Sequence, residues 1–221
     1  MEATWSAGLA VLHCIALPDG YSLEQLASQD VPLITAQLAR WYPDIQAGME
    51  SPHLQPEFYF AHAELADRSE ARDLLPIVIR QREEGIVALI TYERNVLARS
   101  ITCRLGVLAP EHRSAHLALL GPLLLEEIGR ALGAELAYYF ATLKTRHQQV
   151  IAERRGFQLV GIVPGYDRDV ISEGVIKRVY EALYTKLLVP TDELYTPPPE
   201  SLTTRTRAVW SAIFESEKPQ S

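Results

Sequence analysis

The fold of this chain is decided by residues 104–118, RLGVLAPEHRSAHLA. An apolar run ends at Pro110, and from Leu117 onward apolar residues recur every three to four positions. This change of period predicts a strand followed directly by a helix. The first turn of a helix exposes unpaired N–H groups and partial positive charge, which together bind phosphate oxygens. With Arg113 just ahead of the helix, the junction is a candidate diphosphate site, and an ordinary turn with a solvent-facing arginine is the alternative.

Upstream of this junction, residues 74–81 and 85–92 are apolar, β-branched runs separated by the charged turn 82–84, which predicts a hairpin. A third strand is predicted over residues 97–108. Its alternation places four residues on one face, namely Ile101, Cys103, Leu105 and Val107. Near its end, Gly106 makes a β-bulge sterically easy.

Downstream, the helical period extends from Leu117 to Leu132, and Gly133 is the predicted helix stop. Pro122 lies inside this run, so a kink or a late helix start is expected there. The predicted elements that follow are a strand over 135–143, a short helix over 147–155, a strand over 157–164 and a last strand over 175–188.

The N-terminal third has weaker patterns. Residues 7–17 are mostly apolar and precede a turn signal, which predicts a first strand. Ser22 is a candidate cap for a helix. Because Pro32 interrupts the helical spacing that follows, two short helices joined near Asp30 are predicted instead of one. Residues 43–56 are predicted to be loop, and residues 57–72 have no pattern that assigns them to a helix or a strand.

Composition limits the classes of function. The 221 residues include 48% hydrophobic and 22% charged residues, enough for a substantial core, and the formal net charge is −7. Negative charge disfavours nonspecific binding to nucleic acid and favours the approach of a cationic substrate such as an amine. No apolar run reaches the roughly 20 residues that cross a bilayer, so we expect a cytoplasmic protein without a membrane partner. Cys14 and Cys103 are expected to be buried, reduced thiols.

The order of elements over residues 74–188 resembles that of the GNAT superfamily of acyl-CoA-dependent N-acetyltransferases. In that family a hairpin leads to a bulged strand, a phosphate loop of pattern Gln/Arg-x-x-Gly-x-Gly/Ala, a helix, a strand, a short helix ending in Gly-Phe, and two final strands. Here the loop pattern falls on residues 113–118, with His116 in place of the middle glycine, and Gly-Phe falls on residues 156–157. The resemblance implies an α/β (α+β) fold with a central mixed, mostly antiparallel sheet that is flanked by helices and splayed at the cofactor site.

The resemblance also implies a domain organisation. Residues 1–188 would form one GNAT-like domain, with acceptor-side helices in 22–72 and the core in 74–188. Residues 189–221 would form a C-terminal extension, in which 201–214 are predicted to be a short helix. This extension could pack on its own subunit or on a partner in a homodimer.

By the same resemblance, the co-substrate is acetyl-CoA or another acyl-CoA, and no metal is expected. The loop residues that would hold its phosphates are Arg113, Ser114, Ala115, His116, Leu117 and Ala118. The backbone of Leu105, Gly106 and Val107 would pair with the pantetheine arm. Thr145 stands where family members often have an asparagine and could still form a hydrogen bond.

The family's chemistry is direct attack of a neutral amine on the thioester, which needs a proton acceptor and a proton donor. The usual tyrosine donor position is Ala152, and the strand position of the usual glutamate base, residues 101–103, has no carboxylate. The remaining candidates are His147, Tyr166 and Asp167, the last two in a predicted loop over 165–174 at the acceptor end. A surface or capping role is the alternative for each of them.

The function that follows is an N-acyltransferase that moves an acetyl or short acyl group from acyl-CoA to a primary amine on a small molecule or a peptide. The departures at His116, Ala152 and Ile101 support a second hypothesis, a degenerate GNAT domain that binds acyl-CoA without catalysis and serves as a regulatory or interaction module. A third hypothesis is a different mixed α/β protein with the same element order.

Overall fold

The computed structural model of the chain describes residues 4–113 and 115–215. These residues fall into two compact units, one up to Leu188 and one from Val189 onward. The predicted phosphate-loop residue Ser114 lies outside the described residues. Among the described residues, no helix is long and apolar enough to cross a membrane.

The first unit contains one seven-stranded sheet. Its strands are β1 (Tyr21–Gln25), β2 (Leu74–Gln81), β3 (Gly85–Asn95), β4 (Ser100–Leu108), β5 (Leu136–Thr142), β6 (Gln158–Ser172) and β7 (Val175–Leu187). Their order across the sheet is β1-β2-β3-β4-β5-β7-β6. Of the six neighbouring pairs, β4–β5 is parallel and the others are antiparallel. The mixed, mostly antiparallel sheet expected from the sequence is therefore confirmed.

Six α-helices are found among the described residues of this unit. They are α1 (Ser6–Val11), α2 (Val31–Trp41), α3 (Pro56–His62), α4 (Ala115–Ala118), α5 (Leu120–Ala131) and α6 (His147–Arg154). Short 3₁₀ turns cover Pro43–Ala47, Ser51–Leu54 and Pro110–His112, where the sequence predicted loop or the approach to a helix. The predicted helix after Pro110 is interrupted at Leu119, and α5 carries Pro122 in its first turn, so the late helix start is confirmed.

The sheet has a hydrophobic core on each face. One core contains Trp5, residues of β2 and β3, and the leucines of α5. The other contains residues of α2 and α3 packed on the opposite face of β2 to β4. Alternation along β2 shows the division, since Ile77 belongs to the first core and Val78 to the second. The two layers hold the central strands rigidly, and those strands carry the candidate site.

The prediction of a first strand over residues 7–17 is wrong. Residues 6–11 form α1, which packs against α5 so closely that a Cβ on Gly8 would lie 2.8 Å from Ile128 Cγ2. A short apolar run does not distinguish a buried helix from a buried strand, and here the tertiary contact decides. Ser22 lies on β1 and does not cap a helix, because residues 21–25 pair with β2. Cys14 is exposed, contrary to expectation, and both thiols are free.

The β-bulge expected at Gly106 in the third predicted strand lies instead at Arg104. Along β4, Tyr92 pairs with Cys103 and Thr91 pairs with Leu105, so the extra residue is Arg104, two positions before Gly106. A single inserted residue exchanges the two faces of a strand beyond it. Ile101 therefore lies in the first core and Leu105 in the second, and the four residues predicted on one face are divided between both.

The second unit contains α7 (Thr204–Trp210), followed by a π-helical segment over Ser211–Glu215. The Thr203 side chain caps α7 by accepting a hydrogen bond from the Thr206 N–H at 3.1 Å. The helix predicted in this segment is therefore present, with a later start than residue 201.

Candidate functional site

A cleft opens where the two parallel strands separate. β4 and β5 are paired from Ser100 with Leu136 to Cys103 with Tyr139, and there the pairing ends. Residues 104–108 of β4 continue beside β3, but among the described residues no strand pairs with their other edge. The resulting β4–β5 cleft has a volume of about 500 Å³. An extended ligand could pair with this free edge as an added strand would.

Most of the predicted cofactor-binding residues line this cleft. They are Leu105, Gly106, Val107, Arg113, Leu117, Ala118 and Thr145. Ala115 is the first residue of α4. His116 is exposed and is not among the residues that line the cleft. The free edge of β4 and the loop before α4 are thus brought to one place.

The loop before α4 is anchored on both sides. His112 Nδ1 lies 2.8 Å from the Tyr21 hydroxyl, and its Nε2 lies 3.1 Å from a Glu84 carboxylate oxygen. Arg113 donates from Nη2 to the Trp41 carbonyl at 2.8 Å and from Nε to the Leu108 carbonyl at 3.3 Å. These contacts tie the loop to the sheet and to the end of α2, so its position at the mouth of the cleft is determined by the fold.

The bulge residue Arg104 is the centre of a polar network that sequence analysis did not single out. Its guanidinium donates two hydrogen bonds to Glu50, at 2.8 and 3.1 Å, and one to Glu93 at 2.9 Å. Glu50 also lies 3.1 Å from the ring of His53, which is almost fully buried and 3.3 Å from the Thr91 hydroxyl. Burial alone would raise the pKa of Glu50, but His53 and Arg104 lower it below its ordinary value.

The end of the cleft opposite the loop before α4 is acidic. We call Glu50, Asp167, Asp169 and Glu181 its acidic end, and all four line the cleft. Asp167 accepts hydrogen bonds from the Met49 N–H at 2.8 Å and the Arg168 N–H at 2.6 Å. Lys144 forms ion pairs with Asp169 at 2.9 Å and with Asp44 at 3.1 Å. Glu181 has a pKa raised to about 7, first by burial and then by Asp167, Asp169 and Glu50.

The predicted loop over residues 165–174 is wrong. β6 continues to Ser172 and pairs with β7, so Tyr166 and Asp167 lie on a strand. Gly165 has a φ of 66° and the pairing shifts between Val163 and Asp167, so the strand is irregular where loop residues were expected. Pro164 and Gly165, which in the sequence resemble the start of a loop, therefore lie at an irregular point within β6 and not at its end.

The predicted catalytic residues both line the cleft, in different settings. The Tyr166 ring stacks on Phe140 with 4.4 Å between centroids, and burial raises the pKa of its hydroxyl. His147 is the first residue of α6 and is exposed at the edge of the cleft. Cys103 also lines the cleft, and burial raises its pKa to about 12, so its thiol is protonated at neutral pH and is a poor nucleophile.

Sequence reasoning missed Glu50, Arg104 and Glu181. For Arg104 a signal was present, since it is the one charged residue in the otherwise apolar or small residues 100–108. For the two glutamates no local signal exists, because their surroundings come from segments distant in sequence. Among the described residues, no group of three or more His, Cys, Asp and Glu side chains is placed to hold a metal ion.

No family model matches the sequence, and no curated protein sequence matches it. Solved structures do match. A dodecameric spermidine N-acetyltransferase from Vibrio cholerae is 18% identical, with a TM-score of 0.57 over 77% of this chain and 95% of that one. A putative acetyltransferase from Salmonella typhimurium, solved with acetyl-CoA, is 11% identical, with a TM-score of 0.58 over 82% of this chain and 99% of that one. A probable GNAT-family acetyltransferase from Chromobacterium violaceum is 15% identical, with a TM-score of 0.56 over 77% of this chain and 84% of that one.

Proposed function

We propose that this chain, which has the GNAT fold, is an N-acyltransferase that moves an acetyl or short acyl group from acyl-CoA to a primary amine. The observation that carries the proposal is the separation of β4 from β5 after the Cys103–Tyr139 pair, which opens a cleft of about 500 Å³ along a free strand edge. A thioester with an extended arm fits such a slot, because its amides can pair with the free backbone groups of β4.

The proposed position of the co-substrate follows from the residues that line the cleft. The backbone of Leu105, Gly106 and Val107 would pair with the pantetheine arm. The phosphates would lie beside Arg113 and the first turn of α4, where Leu117 and Ala118 line the cleft and where backbone N–H groups and the Arg113 charge favour anions. The sequence pattern adds Ser114, Ala115 and His116 to this proposed phosphate site. Thr145 would bind from the opposite side of the cleft. The Salmonella structure with acetyl-CoA supports this class of co-substrate for a similar fold.

The acceptor would be a cationic primary amine on a small molecule or a peptide. Five carboxylates line the cleft, the four of the acidic end and Asp44, against the four cations Arg104, Arg113, Lys144 and Arg168, of which Arg113 lies at the proposed phosphate site. The net charge of −7 favours the same substrates at longer range. The Vibrio cholerae protein of similar fold is a spermidine N-acetyltransferase, and a polyamine is therefore a suitable first substrate to test.

Tyr166 is the proposed donor of a proton to the departing CoA thiolate. Its raised pKa keeps the hydroxyl protonated at neutral pH, and stacking on Phe140 limits rotation of its ring. His147 is the second candidate, with its side chain at the exposed edge of the cleft.

One observation favours a non-catalytic acyl-CoA-binding module as the second candidate. Ala152, at the position where the family often has a tyrosine donor, is fully buried in the first core and has no group that could transfer a proton. If no residue replaces this function, the cleft would bind acyl-CoA without turnover.

Calorimetric titration with acetyl-CoA tests the binding step. Arg113→Ala is expected to weaken binding several-fold, because it removes the charge beside the proposed phosphate site. Arg82→Ala is the control, since Arg82 lies in the exposed turn between β2 and β3, away from the cleft. An unchanged dissociation constant for Arg113→Ala would contradict the proposed phosphate site, and no binding by the unmodified protein would contradict the function.

Thiol release from acetyl-CoA, measured with a panel of amines that includes spermidine, separates the two candidate functions. Turnover with any amine of the panel supports the transferase. Binding of acetyl-CoA without release of thiol from any of them supports the non-catalytic module.

A further inference from the structure

Glu181 has a particular place in the sheet. It lies on β7 directly opposite Thr142, the last residue of β5, at the end of the sheet where β4 and β5 have separated. Residues directly opposite in an antiparallel pair have their side chains on the same face. Phe140 and Thr142 line the β4–β5 cleft, and Glu181 lines it beside them. Its carboxylate is therefore in the cleft, at the end where an acceptor would meet the thioester.

The carboxylate of Glu181 differs from its neighbours in having no partner. Among residues 4–113 and 115–215, no hydrogen bond or ion pair reaches it. The other carboxylates of the acidic end are all engaged: Glu50 by Arg104, Asp169 by Lys144, and Asp167 by backbone N–H groups. Glu181 is thus the carboxylate of this group that is free to exchange a proton with a ligand.

A second carboxylate that lines the cleft, Asp169, also has an oxygen without a partner among the described residues. Asp169 is only 7% exposed, and while its Oδ2 pairs with Lys144, its Oδ1 is buried without a hydrogen-bond partner among the described residues. A buried carboxylate oxygen without a donor costs free energy, and a ligand N–H in the cleft would remove that cost. The ligand that both observations indicate is a donor with several N–H groups and positive charge, which is the chemistry of a primary ammonium group.

We propose that Glu181 is the catalytic residue that accepts a proton from the ammonium group of the acceptor, with Asp169 Oδ1 as a second contact for that group. The proposal rests on the proposed acyl transfer and names the proton acceptor that the sequence did not identify. The groups that face Glu181 are Glu50 from the loop after α2, Asp167 and Asp169 from β6, and Tyr42 and Tyr166. Burial first, and then the three carboxylates, raise the pKa of Glu181, since burial and neighbouring like charges both disfavour the charged form.

The proposed step conserves atoms and charge. The ammonium group transfers one proton to the Glu181 carboxylate and becomes a neutral amine. The amine nitrogen forms a bond to the thioester carbonyl carbon, the carbon–sulfur bond breaks, and the sulfur leaves with the electron pair. Tyr166 gives its proton to the thiolate and regains one from the nitrogen, which yields the amide and the CoA thiol, and Glu181 then releases its proton to water.

The other candidates in the cleft fit this role less well. The raised pKa of Tyr166 keeps it protonated, so it can donate a proton but not accept one at neutral pH. Glu50 has a lowered pKa because it is held by His53 and Arg104. Asp167 already accepts two backbone hydrogen bonds, at 2.8 and 2.6 Å.

The test compares the unmodified chain with Glu181→Gln, which keeps the shape and removes proton exchange. The control is Glu173→Gln, which makes the same change at the exposed turn between β6 and β7. Thiol release is followed as a function of pH with the amine of the panel that is turned over fastest, and binding of acetyl-CoA is measured by calorimetry. We expect Glu181→Gln to lower kcat by about 10²–10⁴-fold, to lose the fall in kcat/KM on the acid side of pH 7, and to leave the dissociation constant of acetyl-CoA unchanged.

A second readout does not depend on activity. In protein labelled with ¹³C at the glutamate carboxyl carbon, NMR titration should show one resonance with a midpoint near neutral pH, and Glu181→Gln should remove it. A Glu181 resonance that titrates near the ordinary glutamate pKa of 4.5 overturns the proposal. So does a Glu181→Gln variant with the kcat and pH profile of the unmodified chain. Failure of the unmodified chain to release thiol with every amine would instead contradict the acyl transfer on which the proposal rests.

Discussion

Replacing Glu181 with glutamine should stabilise the protein, and more so at high pH. Its pKa is about 7 in the folded protein against 4.5 for an ordinary glutamate. Folded protein therefore keeps this proton at pH values where the unfolded chain has lost it, and the contribution of Glu181 to stability falls as the pH rises between these values. Above pH 7 the ionised carboxylate in the cleft lowers the free energy of unfolding by a constant amount, and a neutral glutamine does not have this effect.

The magnitude follows from the two pKa values. One pKa unit corresponds to about 1.4 kcal/mol, so the free-energy cost of the ionised carboxylate at pH 8 is at most about 3.5 kcal/mol. Because Glu181 is only partly buried, screening by solvent lowers this to about 1–2 kcal/mol. For a domain of this size each kcal/mol changes Tm by about 2–4 °C, so we expect Glu181→Gln to raise Tm by about 2–8 °C at pH 8. At pH 5 the same linkage gives less than about 1 kcal/mol.

Differential scanning calorimetry of the unmodified chain, Glu181→Gln and the control Glu173→Gln at pH 5 and pH 8 measures this difference. The control lies in an exposed turn and should show no pH-dependent change in Tm relative to the unmodified chain. An equal change in Tm for Glu181→Gln at both pH values, or a loss at pH 8, would refute the reasoning.

Urea denaturation of further variants tests one packing contact and one buried ion-pair cluster. Gly129→Ala should lower the free energy of unfolding by about 1–3 kcal/mol, because its Cβ would lie 2.7 Å from Leu188 Cδ1. Gly121→Ala in the same helix meets nothing within 4 Å and should be neutral or stabilising, and equal stability of the two variants would contradict the packing argument. Glu126 is buried and 2.7 Å from Lys186, and the surrounding cations lower its pKa although burial opposes this. Glu126→Gln should therefore lower the free energy of unfolding by about 1–3 kcal/mol at pH 7. The loss should shrink as the pH falls below 4.5 through the lowered native pKa, so a loss that does not change with pH would count against an ionic contribution.

The sequence predicted correctly those elements whose signals are local. β2 and β3 were expected at residues 74–81 and 85–92 and form the hairpin, with β3 extending to Asn95. Gly133 and Gly156 were the expected helix stops, and both have positive φ, 70° and 72°, just after α5 and α6. A glycine stop or a period of two acts within a few residues, so neighbouring residues are enough to predict it.

The site depends on contacts that no local pattern contains. The inserted residue Arg104 exchanges the two faces of β4. The sequence would equally allow a bulge at Gly106, and only the pairing of β4 with β3 shows that it is at Arg104. The neighbours of Glu181 come from β6 and from the loop after α2, over a hundred positions away in the case of Glu50. The sequence by itself therefore determined the order of the core strands and helices and the candidate phosphate loop. Only tertiary structure decided which charges meet in the cleft, because burial and electrostatic interaction act through space and not along the chain.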